Sequence, residues 1–293
     1  MIPKSGYRFP ACAKPWQRGR SSFDASAGEA RSEKVMRKQT GVMRVVVAGF
    51  GPFPGAPSNP SGLLATALAH RRRPALAGID IISHVFATAY DAVDRDLPKL
   101  LARKPDVLLI FGLAGRRREI CIETRARNTR SVLFPDARGW RPERATIEPR
   151  QHAHTGKVPF ARLLTALRRT ALPARLSRDA GTYLCNYVYW RALRGARDGR
   201  PLVQFVHIPS VSSTPRRGTF KRRAPPLSRV VSACEQLLVT LVVISRLSNR
   251  RSSAAPRLSG SAPPQSRSNC AGRAQRTAAI PRVRLRQAAK TGR

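Results

Sequence analysis

Short apolar runs alternate along the chain with longer segments in which apolar residues recur every three or four positions. The uninterrupted runs predict buried β-strands, and the periodic segments predict helices with one apolar face. The predicted strands cover residues 44–49, 79–88, 106–112, 120–126 and 201–209. The predicted helices cover residues 59–72, 91–103, 158–172 and 227–246, with a further helix after position 185. This alternation with short connections predicts an α/β fold in which helices cover both faces of one sheet.

The composition divides the chain into three parts. Residues 1–42 are rich in Gly, Ser, Lys and Arg without apolar periodicity, and residues 247–293 consist mainly of Ser, Pro, Ala and Arg. Neither segment has enough large apolar side chains to offset the entropy of ordering, so we expect a disordered basic extension at each end. Residues 43–246 then form a single folded domain. Met36 and Met43 directly precede the first strand, so a start codon assigned too early is an alternative explanation for the first extension.

The formal net charge of +39 raises the alternative of a protein that binds nucleic acid. Residues 1–42 carry +6 and residues 247–293 carry +11, which leaves +22 for residues 43–246. This central charge comes mostly from scattered arginines, and aromatic residues, 6% of the chain, rarely adjoin them. No base-stacking surface is therefore indicated, and we expect no nucleic-acid partner. The alternative predicts salt-sensitive binding that is lost when both end segments are removed.

Cysteine usage and the apolar segments indicate the compartment. The five cysteines are widely spaced and include no C-x-x-C pair, which argues against a disulfide framework and a zinc site and favours a reducing compartment. His152 and His154 alone are too few ligands for a metal ion. The longest apolar stretch, residues 237–244, is too short to span a bilayer, and the N-terminal segment lacks the apolar core of a secretory signal. We expect a cytoplasmic protein that uses no metal and no organic cofactor and contacts no membrane.

Cys185 is the first candidate for chemistry. It lies in residues 180–190, AGTYLCNYVYW, where a turn at Gly181 and Thr182 precedes helical apolar spacing. Aligned peptide dipoles at a helix N-terminus stabilise a thiolate, and the free N–H groups there can hold an oxyanion. A buried cysteine with a purely structural role is the alternative.

Two further candidates lie in extended apolar segments. His207 closes an apolar run and is followed by Ile-Pro, which suits a rigidly held general base, and a neutral core histidine is the alternative. Burial of the Glu123 carboxylate among apolar neighbours requires a partner. Orienting an imidazolium would supply that partner, and an ion pair with Arg125 or Arg127 is the alternative. Ligands in α/β folds bind at the carboxyl ends of strands, where these unusual residues collect.

Residues 49–60, GFGPFPGAPSNP, follow the first predicted strand. Glycines after a strand suggest a dinucleotide loop, but three prolines remove N–H groups that a pyrophosphate needs, so this signal is weak. Phe50 and Phe53 on a stiff loop instead suggest a small apolar pocket, and a rigid turn packed on the core is the alternative. Asn59 or Ser61 can cap the helix that follows.

Together and in this order, four motifs resemble the pyroglutamyl-peptidase I family, whose members are also called pyrrolidone-carboxylate peptidases. They are a Gly-Phe-x-Pro-Phe loop with Asn-Pro-Ser, a Gly-x-x-Gly segment leading to a glutamate and Ala-x-Asn, a Ser-x-x-Ala-Gly-Thr-aromatic-x-Cys-Asn block, and His-Ile-Pro. The motif residues in this chain are Gly49, Phe50, Pro52, Phe53, Asn59, Pro60, Ser61, Gly112, Gly115, Ile120, Glu123, Ala126, Asn128, Ser177, Ala180, Gly181, Thr182, Tyr183, Cys185, Asn186, His207, Ile208 and Pro209. The resemblance spans residues 43–246.

The resemblance implies a cysteine exopeptidase that cleaves after the N-terminal pyroglutamyl residue of small peptides. It also implies a single-domain, three-layer α/β/α sandwich with a mixed, mostly parallel sheet, and a homo-oligomer, since family members are often dimers or tetramers. Cys185 would attack the pyroglutamyl carbonyl, His207 would transfer the proton, and Glu123 would orient His207. The residues implied to surround the pyrrolidone ring are Phe50, Phe53, Asn59 and Tyr183.

The chain departs from the family pattern at several positions. Leu133 stands where the family has an arginine assigned to the oxyanion site, so Arg127 or Arg130 would have to replace it. Leu113 replaces a glutamine, and Pro54 replaces a glycine of the pocket loop. A catalytically weak or inactive relative that binds a lactam-like ligand is therefore an alternative hypothesis.

Overall fold

One six-stranded sheet organises the fold. A computed structural model describes residues 42–197, 199–212 and 224–254, with side chains up to residue 249. The strands are β1 (Met43–Phe50), β2 (Ile79–Phe86), β3 (Val107–Leu113), β4 (Ile120–Glu123), β5 (Arg125–Ala126), β6 (His154–Thr155), β7 (Ala174–Ser177) and β8 (Leu202–Ile208). The helices are α1 (Pro60–Ala69), α2 (Tyr90–Ala102), α3 (Phe160–Arg168), α4 (Leu184–Gly195) and α5 (Leu227–Ala254), with one 3₁₀ turn at Pro74–Leu76. Most of both predicted end extensions lies outside the described residues.

The sheet is mixed and mostly parallel, as expected. Its strand order is β2-β1-β3-β8-β4-β7, and β5 pairs separately with β6. Strands β2, β1, β3 and β8 run parallel to one another, whereas β4 pairs antiparallel with β8 and parallel with β7. The reversed pair β4–β7 brings the end of β4 beside the middle of β8, and this register places Glu123 opposite Phe205.

Helices cover both faces of the sheet, which confirms the three-layer architecture. Side chains alternate between the faces along each strand, so Val45 and Val47 join one apolar cluster while Val46 and Ala48 join the other. The first cluster packs against α1, α3 and α5, and the second packs against α2 and α4. Each fully buried Val, Leu, Ile or Phe side chain contributes roughly 1.5–3 kcal/mol to the free energy of folding.

The predicted elements are all present, and the differences lie at their ends. The segment 120–126 divides into β4 and β5 because the N–H and hydroxyl of Thr124 both bond to the carbonyl oxygen of Ser177. The first helix ends at Ala69 rather than at residue 72, because the chain then extends and brings Arg71 and Arg73 to the buried carboxylate of Glu235. The short strand β7 was not predicted, since its four residues show no strong apolar pattern.

The helix predicted over residues 158–172 is shorter in the structure. It begins at Phe160, directly after Pro159, and ends at Arg168. The hydroxyl of Thr170 then bonds to the carbonyl oxygen of Leu167, and the chain turns towards β7. The closing helix is longer than predicted, because α5 continues from residue 246 to Ala254. Its last turns therefore lie in the segment that we expected to be a disordered extension.

The length of α5 also corrects the argument about membranes. Residues Leu227–Asn249 form a helix long and apolar enough to span a bilayer, so the eight-residue stretch counted in the sequence underestimated it. In the structure, 56% of an apolar 18-residue stretch of this helix is buried inside the protein. Leu237, Leu238 and Leu241 are fully buried in the cluster that α1 and α3 share. This burial is typical of a core helix that covers a sheet.

Gly49 at the end of β1 allows α1 to approach the strand closely. A Cβ atom there would lie 2.2 Å from the carbonyl oxygen of Ser61 and 2.7 Å from the nitrogen of Gly62. We expect Gly49→Ala to lower the free energy of unfolding by about 1–3 kcal/mol, because both neighbours are backbone atoms that cannot rotate away. Gly51→Ala is the matched control, since its Cβ would meet its nearest neighbour at 3.6 Å. Urea unfolding of both variants measures the difference, and equal midpoints would contradict the prediction.

Candidate active site

Glu123, the last residue of β4, is fully buried, and its Oε1 and its main-chain carbonyl oxygen each accept two hydrogen bonds, whereas Oε2 has no partner among the described residues. Its Oε1 accepts from Nδ1 of His207 (2.8 Å) and from Nη1 of Arg117 (2.7 Å). Its carbonyl oxygen accepts from the hydroxyl of Tyr189 (2.9 Å) and from Nε2 of Gln204 (2.9 Å). A buried carboxylate is tolerated only with such partners, so the position of Glu123 is strongly determined.

The ionic partner of Glu123 is Arg117, and neither Arg125 nor Arg127 takes this place. Arg117 follows β3, and its Nη2 donates to the carbonyl oxygen of Asp179 (2.8 Å). Arg127 instead pairs with the carboxylate of Asp179 (2.8 Å). The two arginines thereby hold the loop that leads to Cys185. Sequence reasoning missed Arg117 because it lies within a run of three arginines, and only its position between the glycine turn and the glutamate distinguishes it.

Cys185 is the second residue of α4, as the sequence predicted. Tyr183 occupies the N-cap without a side-chain bond to the helix, so backbone N–H groups of the first turn stay free for other partners. Gly181 at φ +82° provides the preceding turn, a conformation that favours glycine. The Cys185 sulfur lies against the backbone of β3, because a Cβ on Gly112 would be only 2.9 Å from it.

Asn186 fixes the start of α4. Its Nδ2 donates to the carbonyl oxygens of Arg127 (2.8 Å) and Thr129 (2.7 Å), and its Oδ1 accepts from the N–H of Arg127 (2.9 Å). Because Asn186 is fully buried, these bonds are shielded from water. The residue after Cys185 therefore determines where the thiol sits relative to the sheet.

His207 lies in β8, where its backbone pairs with Gly112 of β3. Burial opposes a charge on the ring, but hydrogen bonds to Cys185 and Glu123 outweigh burial and raise the pKa of His207 to about 9. The imidazole is thus a cation at neutral pH. Nδ1 of His207 is bonded to Glu123, so Nε2 is the ring nitrogen that contacts the Cys185 thiol. A thiol, an imidazole and a carboxylate are therefore brought together in this order.

The residues expected to surround the substrate ring lie in two places. Tyr183 is adjacent to the thiol: burial, Asp136 and Cys185 raise the pKa of its hydroxyl to about 12, and this hydroxyl donates to the carbonyl oxygen of Pro135 (2.8 Å). Phe50 belongs to the apolar cluster against which Tyr183 and Cys185 pack.

The other two expected ring contacts belong to the loop after β1. Phe53 is half-buried in a tight turn closed by its bridge to Ala56. Asn59 caps α1 by accepting from the N–H of Ser61 (3.1 Å) and donates to the carbonyl oxygen of Gly51 (3.0 Å). Asn59 therefore shapes the loop, and the contacts of both residues with substrate stay predictions.

Leu133 is 73% exposed, so the place of the family arginine holds an apolar side chain in contact with solvent. Of the two arginines that would have to replace it, Arg127 is paired with Asp179. Nε of Arg130 donates to the carbonyl oxygen of Arg144 (3.0 Å). Within the described ranges, no group of three or more His, Cys, Asp or Glu side chains is arranged to hold a metal ion.

Comparison with known proteins gives consistent matches. A family model described as pyroglutamyl peptidase matches residues 43–246. A pyrrolidone-carboxylate peptidase of Thermococcus onnurineus is 32% identical over 203 residues, covering 68% of this chain and 98% of that protein. Pyrrolidone-carboxylate peptidase 1 of Caldanaerobacter subterraneus is 30% identical over 206 residues, with coverage of 68% and 98%.

Solved structures agree with the fold. The crystal structure of pyroglutamyl peptidase I from Bacillus amyloliquefaciens superimposes with a TM-score of 0.59 at 25% identity, covering 69% of this chain and 98% of that chain. The pyrrolidone carboxyl peptidase of Thermococcus litoralis superimposes with a TM-score of 0.60 at 26% identity, with coverage of 72% and 96%.

Gly112 leaves room for the thiol, which can be tested directly. We expect Gly112→Ala to displace the Cys185 sulfur from His207, because the added Cβ would also meet Cζ of Phe205 at 2.7 Å. Alkylation of Cys185 by iodoacetamide, followed by peptide mass spectrometry, should slow about tenfold because the sulfur loses its contact with the imidazole. Gly115→Ala is the control, since its Cβ would lie 3.4 Å from Oγ of Ser210. Unchanged alkylation in Gly112→Ala would refute the close packing.

The raised pKa of His207 makes stability depend on pH. The folded-state pKa of about 9 exceeds the ordinary histidine pKa of 6.5, so the stabilisation is complete below pH 6.5 and disappears as pH rises through 9. Glu123→Gln removes the carboxylate partner, one of the two groups that raise this pKa, the other being Cys185. Urea unfolding from pH 6 to 10 should therefore show a stability gap between the two proteins that narrows through pH 9. A gap of constant size would contradict the assigned pairing.

Proposed function

Because this chain belongs to the pyroglutamyl peptidase family, we propose that it removes the N-terminal pyroglutamyl residue of peptides with Cys185, His207 and Glu123 as its catalytic residues. The chain is an enzyme, a cysteine peptidase of this family. The observation that carries the assignment of residues is the buried bond between His207 and Glu123, on the same imidazole that contacts the Cys185 thiol.

Cys185 is the nucleophile in this proposal. Its sulfur attacks the carbonyl carbon of the pyroglutamyl residue and forms a thioester when the bond to the next residue breaks. Its sulfur lies in the first turn of α4 and contacts His207, and a helix N-terminus beside an imidazole is the setting in which a cysteine serves as a nucleophile. Cys234 provides a contrast, because complete burial without a charged partner raises the pKa of its thiol well above the usual range.

His207 acts as acid and then as base. As the imidazolium it gives its Nε2 proton to the departing amine, and as the neutral ring it takes a proton from the water that hydrolyses the thioester. Glu123 holds Nδ1–H at 2.8 Å, which keeps the ring oriented and stabilises its charged form. Arg117 has the supporting role of holding the Glu123 carboxylate.

Backbone N–H groups at the start of α4 would stabilise the oxyanion of the tetrahedral intermediate. These groups have no acceptor within the helix, and the helix dipole favours negative charge at this end. Such backbone donors do not depend on an arginine at position 133, which supports activity despite the exposed Leu133.

The pyrrolidone ring would bind between the first turn of α4 and the loop after β1. Tyr183 and Phe50, which belong to one apolar cluster with Cys185, would supply its aromatic surface, and Phe53 and Asn59 complete the proposed set. A lactam is neutral, so apolar walls with a few hydrogen-bonding groups suit it. We assign this activity to residues 43–246, and the match of the family model over the same residues supports the assignment.

Release of a fluorescent amine from a pyroglutamyl-amide by the full chain, with reductant present, tests the proposal. We expect turnover with this substrate and none with the matching proline-amide, because proline lacks the lactam carbonyl. Cys185→Ala should lower kcat/KM by about 10³-fold or more, since it removes the only proposed nucleophile.

Cys234→Ala is the matched control, because Cys234 is buried in α5 on the opposite face of the sheet. This variant should keep its activity if it stays folded. Absence of turnover by a folded wild-type protein would favour the alternative of an inactive relative that binds lactams. Turnover that survives Cys185→Ala would instead refute the assignment of the nucleophile.

A further inference from the structure

Tyr90, the first residue of α2, holds a ring that is fixed from several sides. It is 2% exposed, and its N–H donates to Oδ2 of Asp136 (3.1 Å). Its ring makes edge contacts with Tyr187, Trp140 and Tyr183, at centroid distances of 5.0, 5.4 and 6.1 Å. The direction of the Tyr90 hydroxyl is therefore determined by the fold rather than by solvent.

The hydroxyl oxygen of Tyr90 is buried, yet it has no hydrogen-bond partner within the described part of the chain. The other three tyrosines that the structure describes all have acceptors. They are Tyr183 with the carbonyl oxygen of Pro135, Tyr187 with the carboxylate of Asp94, and Tyr189 with the carbonyl oxygen of Glu123. Since native proteins satisfy nearly all buried hydroxyls, the exception requires an explanation.

The surroundings of this hydroxyl connect it to the active site. Burial raises its pKa, Tyr183, Asp136 and Cys185 raise it further, and Arg130 opposes them. The Tyr90 ring also contacts the ring of Tyr183, which precedes Cys185 by two residues, so this hydroxyl belongs to the surroundings of the thiol. It stays protonated at physiological pH, so it can act as a hydrogen-bond donor.

We propose that the Tyr90 hydroxyl donates a hydrogen bond to the ring carbonyl of the pyroglutamyl residue and is a specificity-determining residue of this enzyme. The inference rests on the function proposed above. The N–H groups of α4 would meet the scissile carbonyl, whereas Tyr90 packs edge-on against Tyr183, the proposed wall of the ring pocket. Proline has a methylene group where the lactam has its carbonyl, so a prolyl substrate would leave the buried hydroxyl unpaired.

Tyr90→Phe tests this role, because it removes the hydroxyl and keeps the ring. We expect kcat/KM for the pyroglutamyl-amide to fall about tenfold, mainly through a higher KM. In the Cys185→Ala background, the affinity for 2-pyrrolidone, which carries the lactam but no scissile bond, should also fall about tenfold by calorimetry or NMR titration. The thermal midpoint should not decrease, since the hydroxyl makes no bond in the free protein.

Tyr187→Phe is the matched control: it removes a hydroxyl from the same aromatic cluster, but one that is bonded to Asp94. Its kcat/KM and its affinity for 2-pyrrolidone should stay within about twofold of the wild type. In contrast to Tyr90→Phe, it should lower the thermal midpoint, because the Asp94 bond is lost.

The outcomes separate the two proposals. If Tyr90→Phe lowers kcat but leaves the binding of 2-pyrrolidone unchanged, the hydroxyl acts at the scissile carbonyl and the inference is wrong. It is also wrong if neither quantity changes, or if the thermal midpoint falls. If the wild type fails to cleave the pyroglutamyl-amide, the proposed function fails, and the binding of 2-pyrrolidone alone then decides the role of Tyr90.

Discussion

The buried charge of Glu123 is the constraint around which this end of the sheet is arranged. A carboxylate without solvent contact is stable only where cations and donors meet it, and here they come from separate parts of the chain. His207 on β8 and Arg117 on the turn after β3 meet the carboxylate, and Tyr189 on α4 donates to the main-chain carbonyl oxygen of the same residue. Correct assembly of β8 and of the turn after β3 is therefore required before this charge meets its two cations, and α4 fixes the main chain at the same residue.

The same arrangement determines where the thiol lies. Tyr189 and Cys185 are four residues apart on α4, hence on the same helix face, and the bond from Tyr189 to Glu123 anchors the helix one turn after the nucleophile. At the other side, Gly112 lets the helix approach β3, and its backbone pairs with His207. The close approach of α4 to β3 at Gly112, the pairing of Gly112 with His207 and the bond from Tyr189 to Glu123 thus place the Cys185 sulfur beside the imidazole.

Much of this was predictable from the sequence, for physical reasons that differ between elements. The buried strands β1, β3 and β8 are long apolar runs, and the first turn of α4 follows a glycine turn, so both were predicted closely. β7 was not predicted because its pairing with β4, rather than its own residues, makes it a strand. Arg117 was missed because the sequence does not show which of three consecutive arginines reaches Glu123. That choice depends on the register of β4 against β8. No sequence pattern indicates the unpaired hydroxyl of Tyr90, because its burial without a partner arises only when the aromatic cluster assembles.

Arg117 has a consequence for how this site can change over evolutionary time. Its guanidinium joins the carboxylate of Glu123 and the main chain of Asp179, so it connects the acid–base pair to the loop that carries the nucleophile. Loss of the arginine alone would leave a buried negative charge with one fewer partner, and loss of the glutamate alone would leave two cations facing each other. Positions 117, 123 and 207 should therefore be inherited as a unit, so that a lineage abandoning the chemistry would replace all three rather than drift at one.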